Sequence, residues 1–292
     1  MEQALRQAGL AYDIEWTTGP GDGARIAGEA WQRGRRRMLV AGGDGSVHDV
    51  VNGLMRARQA RRDSASTATP CTPTVVPLPL GTGNDWSRSL ALPRDPARLA
   101  AIVRRDHAVS HDVGRIDFGG ADGTAAQTCW FINVAGAGYD AWVTERVPRP
   151  VPSALTYLRI ALAGLAQYRS PHFRITADGR SIEGRLLLAF VANAQYCGNR
   201  MHVVPTARLD DGRLDVLAVE ELSLAQVLPK LAKLYGGRIL GDRAVRHLEA
   251  ERVRIETDPP VSVQADGQIV GTTPAEFSLQ QRALSVAVPA GT

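Results

Sequence analysis

Residues 39–54 read LVAGGDGSVHDVVNGL, and this stretch places glycines and an aspartate between a predicted strand and a predicted helix. The apolar run at 38–41 is typical of a strand covered on both faces, and the glycines permit a tight turn. The pattern predicts Asp44 at the tip of that turn and Ser46 as the cap of a helix whose apolar residues recur at helical spacing. Because N–H groups at a helix start favour anions, the segment predicts a phosphate-binding turn.

A second segment of the same kind, TVVPLPLGTGNDWSRSL, follows at residues 74–90. It combines a β-rich apolar run, two glycines and a predicted helix. In an open α/β sheet, ligands bind beyond the carboxyl ends of the strands. The two turns, at residues 42–46 and 81–85, are therefore predicted to line one site from neighbouring strands.

Together, the motifs GGDGSVHDVVNG and PLGTGNDWSR resemble the paired signature of the diacylglycerol kinase catalytic domain family, bacterial lipid kinases that are similar to sphingosine and ceramide kinases. GGDG by itself also occurs in NAD kinases and phosphofructokinases, which share the nucleotide-binding fold. The resemblance implies a kinase that transfers the γ-phosphate of ATP to the hydroxyl group of diacylglycerol or a related lipid. It also implies Mg²⁺ as the metal cofactor.

The resemblance further implies which residues bind the nucleotide. Asp44 would act through magnesium, and Asn84 and Asp85 would position phosphate or substrate. A family element with a threonine before a Gly-Asp-Ala turn is matched loosely by TTGPGDGA, which offers Thr17 or, as the weaker match, Thr18. An ordinary polar turn explains Thr17 as well. The implied nucleotide-binding set is Thr17, Gly42, Gly43, Asp44, Gly45, Ser46, Thr82, Gly83, Asn84 and Asp85.

The segment PTARLDDGRLDVLAV, residues 205–219, resembles a family segment that holds magnesium. Hard divalent cations prefer carboxylate and carbonyl oxygens, and an Asp-Asp-Gly turn can point both kinds at one place. The resemblance implies Asp211 as a metal ligand, with the backbone carbonyls of Arg208 and Arg213 beside it. A plain β-turn with Asp-Gly at its tip is the alternative.

The segment SVQADGQIVG, residues 262–271, stands where the family carries an Asp-Gly-Glu triplet with the catalytic carboxylates; here the triplet is Asp266, Gly267 and Gln268. Phosphoryl transfer needs a group that orients and deprotonates the acceptor hydroxyl. Asp266 can be that base, whereas the amide of Gln268 neither accepts a proton usefully nor carries the charge that a metal requires. The implied catalytic positions are Asp266, Asp44 and Gln268. A hairpin turn explains Asp266 and Gly267 equally well.

Two other functions stay open. The amide at Gln268 is compatible with a catalytically weak or inactive module that binds nucleotide or lipid. GGDG also allows a soluble-metabolite kinase of the NAD type, although the DDGRLDV segment favours the lipid kinases. In FINVAGAGYDAWV, residues 131–143, which resembles a family segment facing the lipid, Asn133 and Asp140 could contact the substrate, and core packing is the alternative. His48 lies on the polar side of its helix by spacing, so we expect it to face solvent.

The order of elements predicts an α/β domain followed by a mainly β domain. Residues 1–106 are predicted to form a doubly wound α/β nucleotide-binding domain, and residues 107–292 a β-sandwich-like lipid-substrate domain whose last segment has the option of packing back on the first. The predicted helices are 2–9, 21–33, 46–58, 95–105, 153–168 and 223–240, and the first predicted strands are 11–16 and 37–41.

A doubly wound domain normally opens on a strand, whereas this sequence opens on a predicted helix. The family's first strand ends in an Asn-Pro-x-x-Gly loop that contacts the nucleotide phosphates, and residues 1–20 do not match it. We therefore expect the first strand to be missing. A truncated sequence explains the missing strand better than loss of the strand from the protein does, because a sheet without its first strand would expose edge groups and apolar surface.

The composition is that of an ordinary globular protein, with 44% apolar and 22% charged residues. The three cysteines, Cys71, Cys129 and Cys197, are widely spaced, which argues against a disulfide framework or a zinc cluster and predicts packing roles. Neither a signal peptide nor a membrane-spanning run is present in the sequence. The predicted location is cytoplasmic with transient membrane association.

The net charge is +4, and arginines cluster at residues 33–37 and 56–62. We expect these side chains to be solvated rather than to form a dedicated lipid-docking patch. Nucleic acid is not an expected partner, because no recognition-helix motif, zinc-finger spacing or aromatic-basic platform accompanies the charge. The expected partner is a lipid substrate at the membrane surface, bound peripherally, and a homodimer stays open as an alternative to a monomer.

Overall fold

The computed structural model describes residues 1–63, 72–105, 107–119, 127–148 and 154–289. The chain divides into two compact units, one formed by Met1–Val113 and Gln281–Thr292 and the other by Gly114–Gln280. The predicted domain boundary at residue 106 stays a prediction. The expected surface loop at 61–73 falls largely outside the described residues, as does Cys71.

The first unit alternates helices and strands, as the sequence predicts. Its elements are α1 (Glu2–Gln7), α2 (Asp22–Gln32), β1 (Arg37–Gly42), α3 (Asp44–Asp63), β2 (Thr74–Pro79), α4 (Asp85–Ser89) and α5 (Pro96–Arg105). Two long strands, β3 (Ala108–Phe118) and β15 (Ala275–Ala287), have residues in both units.

Parallel strands form the centre of the first unit. β1 pairs with β2 from Arg37 opposite Thr74 to Gly42 opposite Pro79. The end of β15 continues the parallel sheet, with Ser285 opposite Thr74. The apolar face of α5 packs on β2 through Leu99 and other buried residues. Parallel strands with helical connections are the arrangement that a doubly wound domain requires.

The helices α2 and α3 approach each other closely at Gly53. A Cβ atom added at Gly53 would lie 2.0 Å from the backbone oxygen of Ala24, so only glycine fits there. Gly28 of α2 is different, because a Cβ atom there would lie 3.6 Å from the oxygen of Gly53, which is ordinary contact. The two glycines lie at the same helix contact but tolerate side chains differently.

The second unit consists mainly of strands. They are β4 (Gln127–Phe131), β5 (Val134–Gly138), β6 (His172–Ala177), β7 (Arg180–Ala192), β8 (Tyr196–Cys197), β9 (Met201–His202), β10 (Leu214–Glu220), β11 (Val245–Ala250), β12 (Arg252–Asp258), β13 (Ser262–Ala265) and β14 (Gln268–Thr272). Its helices are α6 (Tyr139–Arg146), α7 (Ala154–Gly164), α8 (Leu224–Tyr235) and a 3₁₀ turn at Ile239–Gly241.

The long strand β7 belongs to two sheets. Its first half pairs with β6, from Arg180 to Arg185, and its second half pairs with β5 and β10. Phe173, Phe277 and Val263 contribute from different strands to one buried cluster, whose members come from both sheets. Two antiparallel sheets that share an apolar interior form a β-sandwich.

A second apolar cluster lies on the other face of β5, β7 and β10. It joins Val134 and Leu217 of the sheet to Tyr139 and Val143 of α6, and Ile160 of α7 and Leu234 of α8 pack against it. One sheet of the sandwich is therefore covered by helices. With the parallel first unit, this confirms the predicted fold class of an α/β domain followed by a mainly β, sandwich-like domain.

Some sequence predictions were wrong in detail. Residues 11–16 form no strand; Trp16 is 78% exposed. Asp13 and Glu15, two polar positions of the alternating pattern, form ion pairs with Arg35 and Arg33 instead of facing a neighbouring strand. Alternation alone does not make a strand, because a strand also needs a hydrogen-bonding neighbour.

The remaining differences have local causes. His48 is buried, not solvent-facing, because α3 packs against α2 as well as β1. The helix predicted at 223–240 ends at Tyr235, where Gly236 and Gly237 follow and Gly237 adopts a φ of 65°. Every helix in the described part of the chain is too short or too polar to span a bilayer.

The contact between α2 and α3 gives a stability test with a matched control. We expect Gly53→Ala to lower the free energy of unfolding by about 2 kcal/mol or more, because the new methyl group must push the two backbones apart. Gly28→Ala should raise it by roughly 0.5–1 kcal/mol, since alanine is the better helix former and finds room there. Urea denaturation of the three proteins measures both changes. Equal effects of the two substitutions would contradict the close approach.

Candidate functional site

The two glycine-rich turns of the first unit are in backbone contact. A Cβ atom added at Gly81 would lie 2.4 Å from the Cα atom of Gly43. The N–H groups of Leu80 and Gly81 donate to the carbonyl of Gly42, at 3.0 and 3.2 Å. The ends of β1 and β2 are level in the parallel register, so both turns begin at the same edge of the sheet.

Asp44 lies at the junction of these turns. Its Oδ1 accepts a hydrogen bond from the N–H of Trp86 at 3.2 Å. A Cβ atom added at Gly83 would lie 2.8 Å from Asp44 Oδ2 and 3.6 Å from Asp85 Oδ2. Two carboxylates, one half-buried and one buried, therefore lie next to the same glycine. Carboxylate pairs of this kind attract cations.

Asn84 fixes the shape of the second turn. Its side chain accepts a hydrogen bond from the N–H of Gly81 at 3.0 Å and donates to the carbonyl of the same residue. Its backbone is left-handed, with a φ of 53°, a conformation that asparagine tolerates better than most residues. The buried Asn84 therefore holds the turn in place immediately before α4.

Ser46 does not cap its helix as the sequence predicted. The helix α3 begins at Asp44, two residues earlier, so Asp44 is the first helical residue rather than the tip of the turn. Ser46 lies in the first turn of α3, and a Cβ atom at Gly42 would lie 2.3 Å from its Oγ. Gly42 must therefore be glycine. Gly45, Ser46 and Thr82 are all exposed.

Thr17 lies in an exposed segment without regular secondary structure. The neighbouring Thr18 contacts the start of α2, because its N–H and Oγ both donate to Asp22 Oδ2, at 2.8 and 2.6 Å. The weaker of the two matches is thus the residue that is held in place by side-chain hydrogen bonds.

Asp266 in the second unit holds the turn between β4 and β5. It lies at the β13–β14 hairpin with a φ of 49°. Its Oδ2 accepts from the N–H of Ile132 at 3.0 Å and its Oδ1 from the N–H of Asn133 at 2.8 Å. Asn193 Nδ2 donates to the carbonyl of Ile132 at 3.0 Å. Both carboxylate oxygens of the predicted base are therefore occupied by backbone N–H groups.

A buried glutamine that the sequence did not single out connects this hairpin to Asp140. Gln264 Oε1 accepts from the N–H of Gly267 at 2.8 Å, and its Nε2 donates to Asp140 Oδ2 at 3.0 Å. A Cβ atom at Gly136 would lie 2.1 Å from Asp140 Oδ2, so this carboxylate is tightly enclosed. Gln264 and Asp140 are 124 positions apart in sequence, so no local pattern indicates their contact.

Burial changes the acidity of this group. Desolvation raises the pKa of the Asp140 carboxyl to about 6, and the hydrogen bond from Gln264 opposes the shift only partly. Burial, and then the charge of Asp140, also raise the pKa of the Tyr168 hydroxyl. Asp140 Oδ1, Asn133 Oδ1 and the Tyr168 hydroxyl are buried without a hydrogen-bond partner among the described residues.

Gln268 lines an open pocket of about 530 Å³ in the second unit. The other lining residues are Thr144, Glu145, Val147 and Ile269. The pocket mixes polar and apolar side chains, and Glu145 accepts a hydrogen bond from Ser262 nearby. Gln268 therefore lies at the wall of a pocket that is open to solvent.

The predicted metal ligands lie in an exposed turn. Asp211 Oδ1 accepts from the N–H of Arg213 at 3.0 Å, and the side chain of Arg208 forms an ion pair with Asp210 at 3.2 Å. Gly212 adopts a φ of 73°, which shapes the turn. A carboxylate and backbone carbonyls are a suitable donor set for Mg²⁺, and this assignment stays a prediction.

A different group of metal-ligating residue types lies on the neighbouring strands β10 and β11, and the sequence did not indicate it. Within the described residues, Asp215, His247 and Glu249 have ligand atoms that all lie within 4.8 Å of one another. Asp215 is buried and its Oδ1 lies 2.6 Å from His247 Nε2. Asp215 and Glu249 are paired across β10 and β11, which explains their proximity.

Comparison with known proteins agrees with this fold. The model of the diacylglycerol kinase catalytic domain matches residues 1–116, and that of the YegS C-terminal NAD kinase beta sandwich-like domain matches residues 133–288. The crystal structure of a diacylglycerol kinase from Bacillus anthracis strain Sterne has a TM-score of 0.71 at 23% identity, over 98% of this chain and 88% of that one. The fold is thus that of the class that unites diacylglycerol kinases and NAD kinases.

Two relatives match over nearly the whole chain. Diacylglycerol kinase of Bacillus subtilis strain 168 is 30% identical over 291 residues, 98% of this chain and 89% of that protein. Diacylglycerol kinase of Staphylococcus haemolyticus strain JCSC1435 is 27% identical over 288 residues, 98% of this chain and 81% of that protein. The chain belongs to the diacylglycerol kinase family.

The buried carboxyl of Asp140 predicts a specific pH dependence of stability. Its pKa is about 6 in the folded protein and about 4 when the chain unfolds, so folding is penalised once the pH rises through this window. We expect Asp140→Asn to be more stable than the wild type at pH 7, by on the order of 2 kcal/mol, and to match it near pH 4. Thermal unfolding between these pH values measures the difference.

Asp210→Asn is the control for this measurement, because Asp210 lies exposed on a surface turn. It should leave the pH dependence of the wild type unchanged. If Asp140→Asn also kept the wild-type slope between pH 4 and 6, the enclosure of this carboxyl would be contradicted.

Proposed function

We propose that this protein is a lipid kinase that transfers the γ-phosphate of ATP to the hydroxyl group of diacylglycerol or a related lipid. The observation that carries the proposal is the backbone contact of the Gly43 and Gly81 turns, with the carboxylates of Asp44 and Asp85 next to Gly83. Membership of the diacylglycerol kinase family supports the same activity.

The phosphates of ATP would bind at the start of α3, on Gly42, Gly43, Gly45 and Ser46. Backbone N–H groups and the dipole of this 20-residue helix favour anions at its first turn. Thr82 is exposed on the adjacent turn and would contact the same phosphates, and Thr17 would contact the nucleotide. Glycines suit this role because a phosphate can then approach the backbone closely.

Asp44 and Asp85 fit a magnesium ion, because both present carboxylate oxygens next to Gly83. Magnesium bound there would neutralise charge on the transferred phosphate. We assign a second, supporting magnesium to Asp211 with the carbonyls of Arg208 and Arg213. Asn84 keeps the turn in the shape that these ligands need.

The lipid hydroxyl would be received in the second unit. Asn133 and Asp140 each have a buried oxygen without a partner among the described residues, and these oxygens can accept a hydrogen bond from a hydroxyl group once the groups that enclose them move apart. Asp266 is the proposed base. Because its oxygens also hold the N–H groups of Ile132 and Asn133, accepting a proton would weaken those bonds.

A catalytically weak binding module is the second candidate, and Gln268 is the observation that favours it. The amide cannot replace a carboxylate as proton acceptor or metal ligand. Incubation with radiolabelled ATP and either diacylglycerol vesicles or NAD separates the candidates. Label in lipid supports the proposal, label in NAD identifies a soluble-metabolite kinase, and ATP binding without label in either substrate identifies the module.

Asp44 provides the first test of the proposed ATP site. We expect Asp44→Asn to reduce lipid phosphorylation by roughly a hundredfold, because a charge that acts through the metal is lost. Asp63→Asn, at the other end of the same helix, should keep full activity, since Asp63 is exposed and accepts a hydrogen bond from Gln59. Equal activity of both variants in the labelling assay would refute the role of Asp44.

Gln268 provides the second test. We expect Gln268→Glu to raise kcat, by roughly tenfold or more, because it restores a carboxylate in a position that faces an open pocket. Gln268→Asn is the matched control, since it changes length without adding charge, and it should not gain activity. An unchanged rate in Gln268→Glu would contradict the expected gain and show that position 268 does not limit the reaction.

A further inference from the structure

One side of α8 presents exposed apolar residues along the whole length of the helix. Leu224, Leu228 and Tyr235 are 53%, 56% and 53% exposed, which is unusual for large apolar side chains. Smaller apolar residues complete the surface. Its exposed members, which we call the α8 face, are Leu224, Ala225, Leu228, Pro229, Ala232 and Tyr235.

Helix geometry explains why these residues share one side. Positions 224, 228, 232 and 235 are three or four residues apart, and positions 225 and 229 lie beside them. The opposite side of α8 carries the half-buried Val227 and Leu234, and Leu234 packs on the apolar cluster of the second unit. No residue of this helix is fully buried, although most of its side chains are apolar. Burial within the unit therefore does not explain the α8 face.

The charges on α8 and in the segment that follows it are mostly positive, whereas the exposed Glu221 precedes the helix. The helix itself contains two lysines and no acidic residue. Lys230 and Lys233 donate to the buried Asp242, at 2.5 and 2.7 Å. Segment 222–243 carries four cationic side chains and one acidic side chain, a net charge of +3. Within the described residues, the exposed Arg238 and Arg243 form no ion pair.

We propose that the α8 face is the surface by which this protein binds an anionic phospholipid bilayer. An apolar helix face with cationic side chains at its margins is the pattern of helices that lie in the membrane interface. The leucines would enter the boundary of the acyl chains, Tyr235 would lie at headgroup level, and the free arginines would contact acidic headgroups.

A second copy of the chain is a poorer occupant of the same surface. A symmetric dimer through α8 would bring two segments of net charge +3 together, and like charges oppose association. An anionic bilayer neutralises the same charges. Charge complementarity therefore favours an anionic membrane over a second copy of the chain as the partner of the α8 face.

The inference rests on the proposed function, which names lipid as the substrate. The fold supplies a reason why the membrane-binding surface lies on α8. The helix α6, which carries Asp140, and α8 pack on the same apolar cluster on one face of the sheet. Binding through α8 would thus turn the side of the unit that carries Asp140 towards the lipid.

The test measures sedimentation of the protein with vesicles of phosphatidylcholine, with and without one third of phosphatidylglycerol. We expect the wild type to bind the anionic vesicles and to be released by high salt. The double variant L224Q/L228Q should bind at least about tenfold more weakly, because two leucines no longer enter the bilayer. The double variant R238Q/R243Q should lose the preference for anionic vesicles.

Ile14→Gln is the matched control, because Ile14 is 45% exposed and lies outside α8. It should bind vesicles like the wild type. Equal binding of L224Q/L228Q and the wild type would overturn the proposal. So would a concentration-dependent dimer in sedimentation velocity that is lost in L224Q/L228Q, without vesicle binding by the wild type.

Activity on a soluble short-chain diacylglycerol separates this inference from the proposed function. We expect L224Q/L228Q to keep wild-type activity on that substrate and to lose activity on vesicles. Vesicle binding that L224Q/L228Q loses, by a wild type that phosphorylates neither substrate, would leave the α8 surface supported and the kinase proposal refuted. Normal phosphorylation of vesicle lipid by L224Q/L228Q would refute the α8 surface and support the kinase proposal.

Discussion

The close approach of two backbone turns is the constraint on which the first unit depends. The parallel register ends β1 and β2 at the same level, with Gly42 opposite Pro79, so the chains leave the sheet side by side. Only glycine lets Gly43 and Gly81 come into contact, since a Cβ atom at Gly81 would lie 2.4 Å from Gly43 Cα. That contact in turn brings the carboxylates of Asp44 and Asp85 next to Gly83.

The second unit solves a similar problem with side chains. The turn between β4 and β5 has its N–H groups bound by Asp266 and a carbonyl bound by Asn193. Gln264 then ties the Asp266 hairpin to Asp140. This network requires a carboxyl group in a dry environment, which raises the pKa of Asp140 to about 6. Burial of this carboxyl group is unfavourable, but the hydrogen-bond network around it fixes the arrangement of the polar groups.

The sequence predicted what depends on local pattern. The two glycine turns, the parallel strands before them and the helices after them follow from residues that are close together in the chain. The predicted fold class was confirmed. Contacts between distant residues were not predictable: Gln264 meets Asp140 across 124 positions. The prediction of a strand at 11–16 was wrong because alternation of polar and apolar residues does not supply a pairing partner. Ser46 was misjudged because the helix begins at Asp44, and both readings satisfy the same pattern.

The Asp-Gly-Gln triplet shows where such a family can vary at small structural cost. Asp266 accepts two backbone hydrogen bonds and supports the turn that carries Asn133, so its loss would disturb the fold as well as the chemistry. Gln268 begins β14, paired with Ala265, and its side chain lines an open pocket. A carboxylate can be exchanged for an amide there without leaving a buried group unpaired. Position 268 can therefore change the chemistry while the hairpin stays intact.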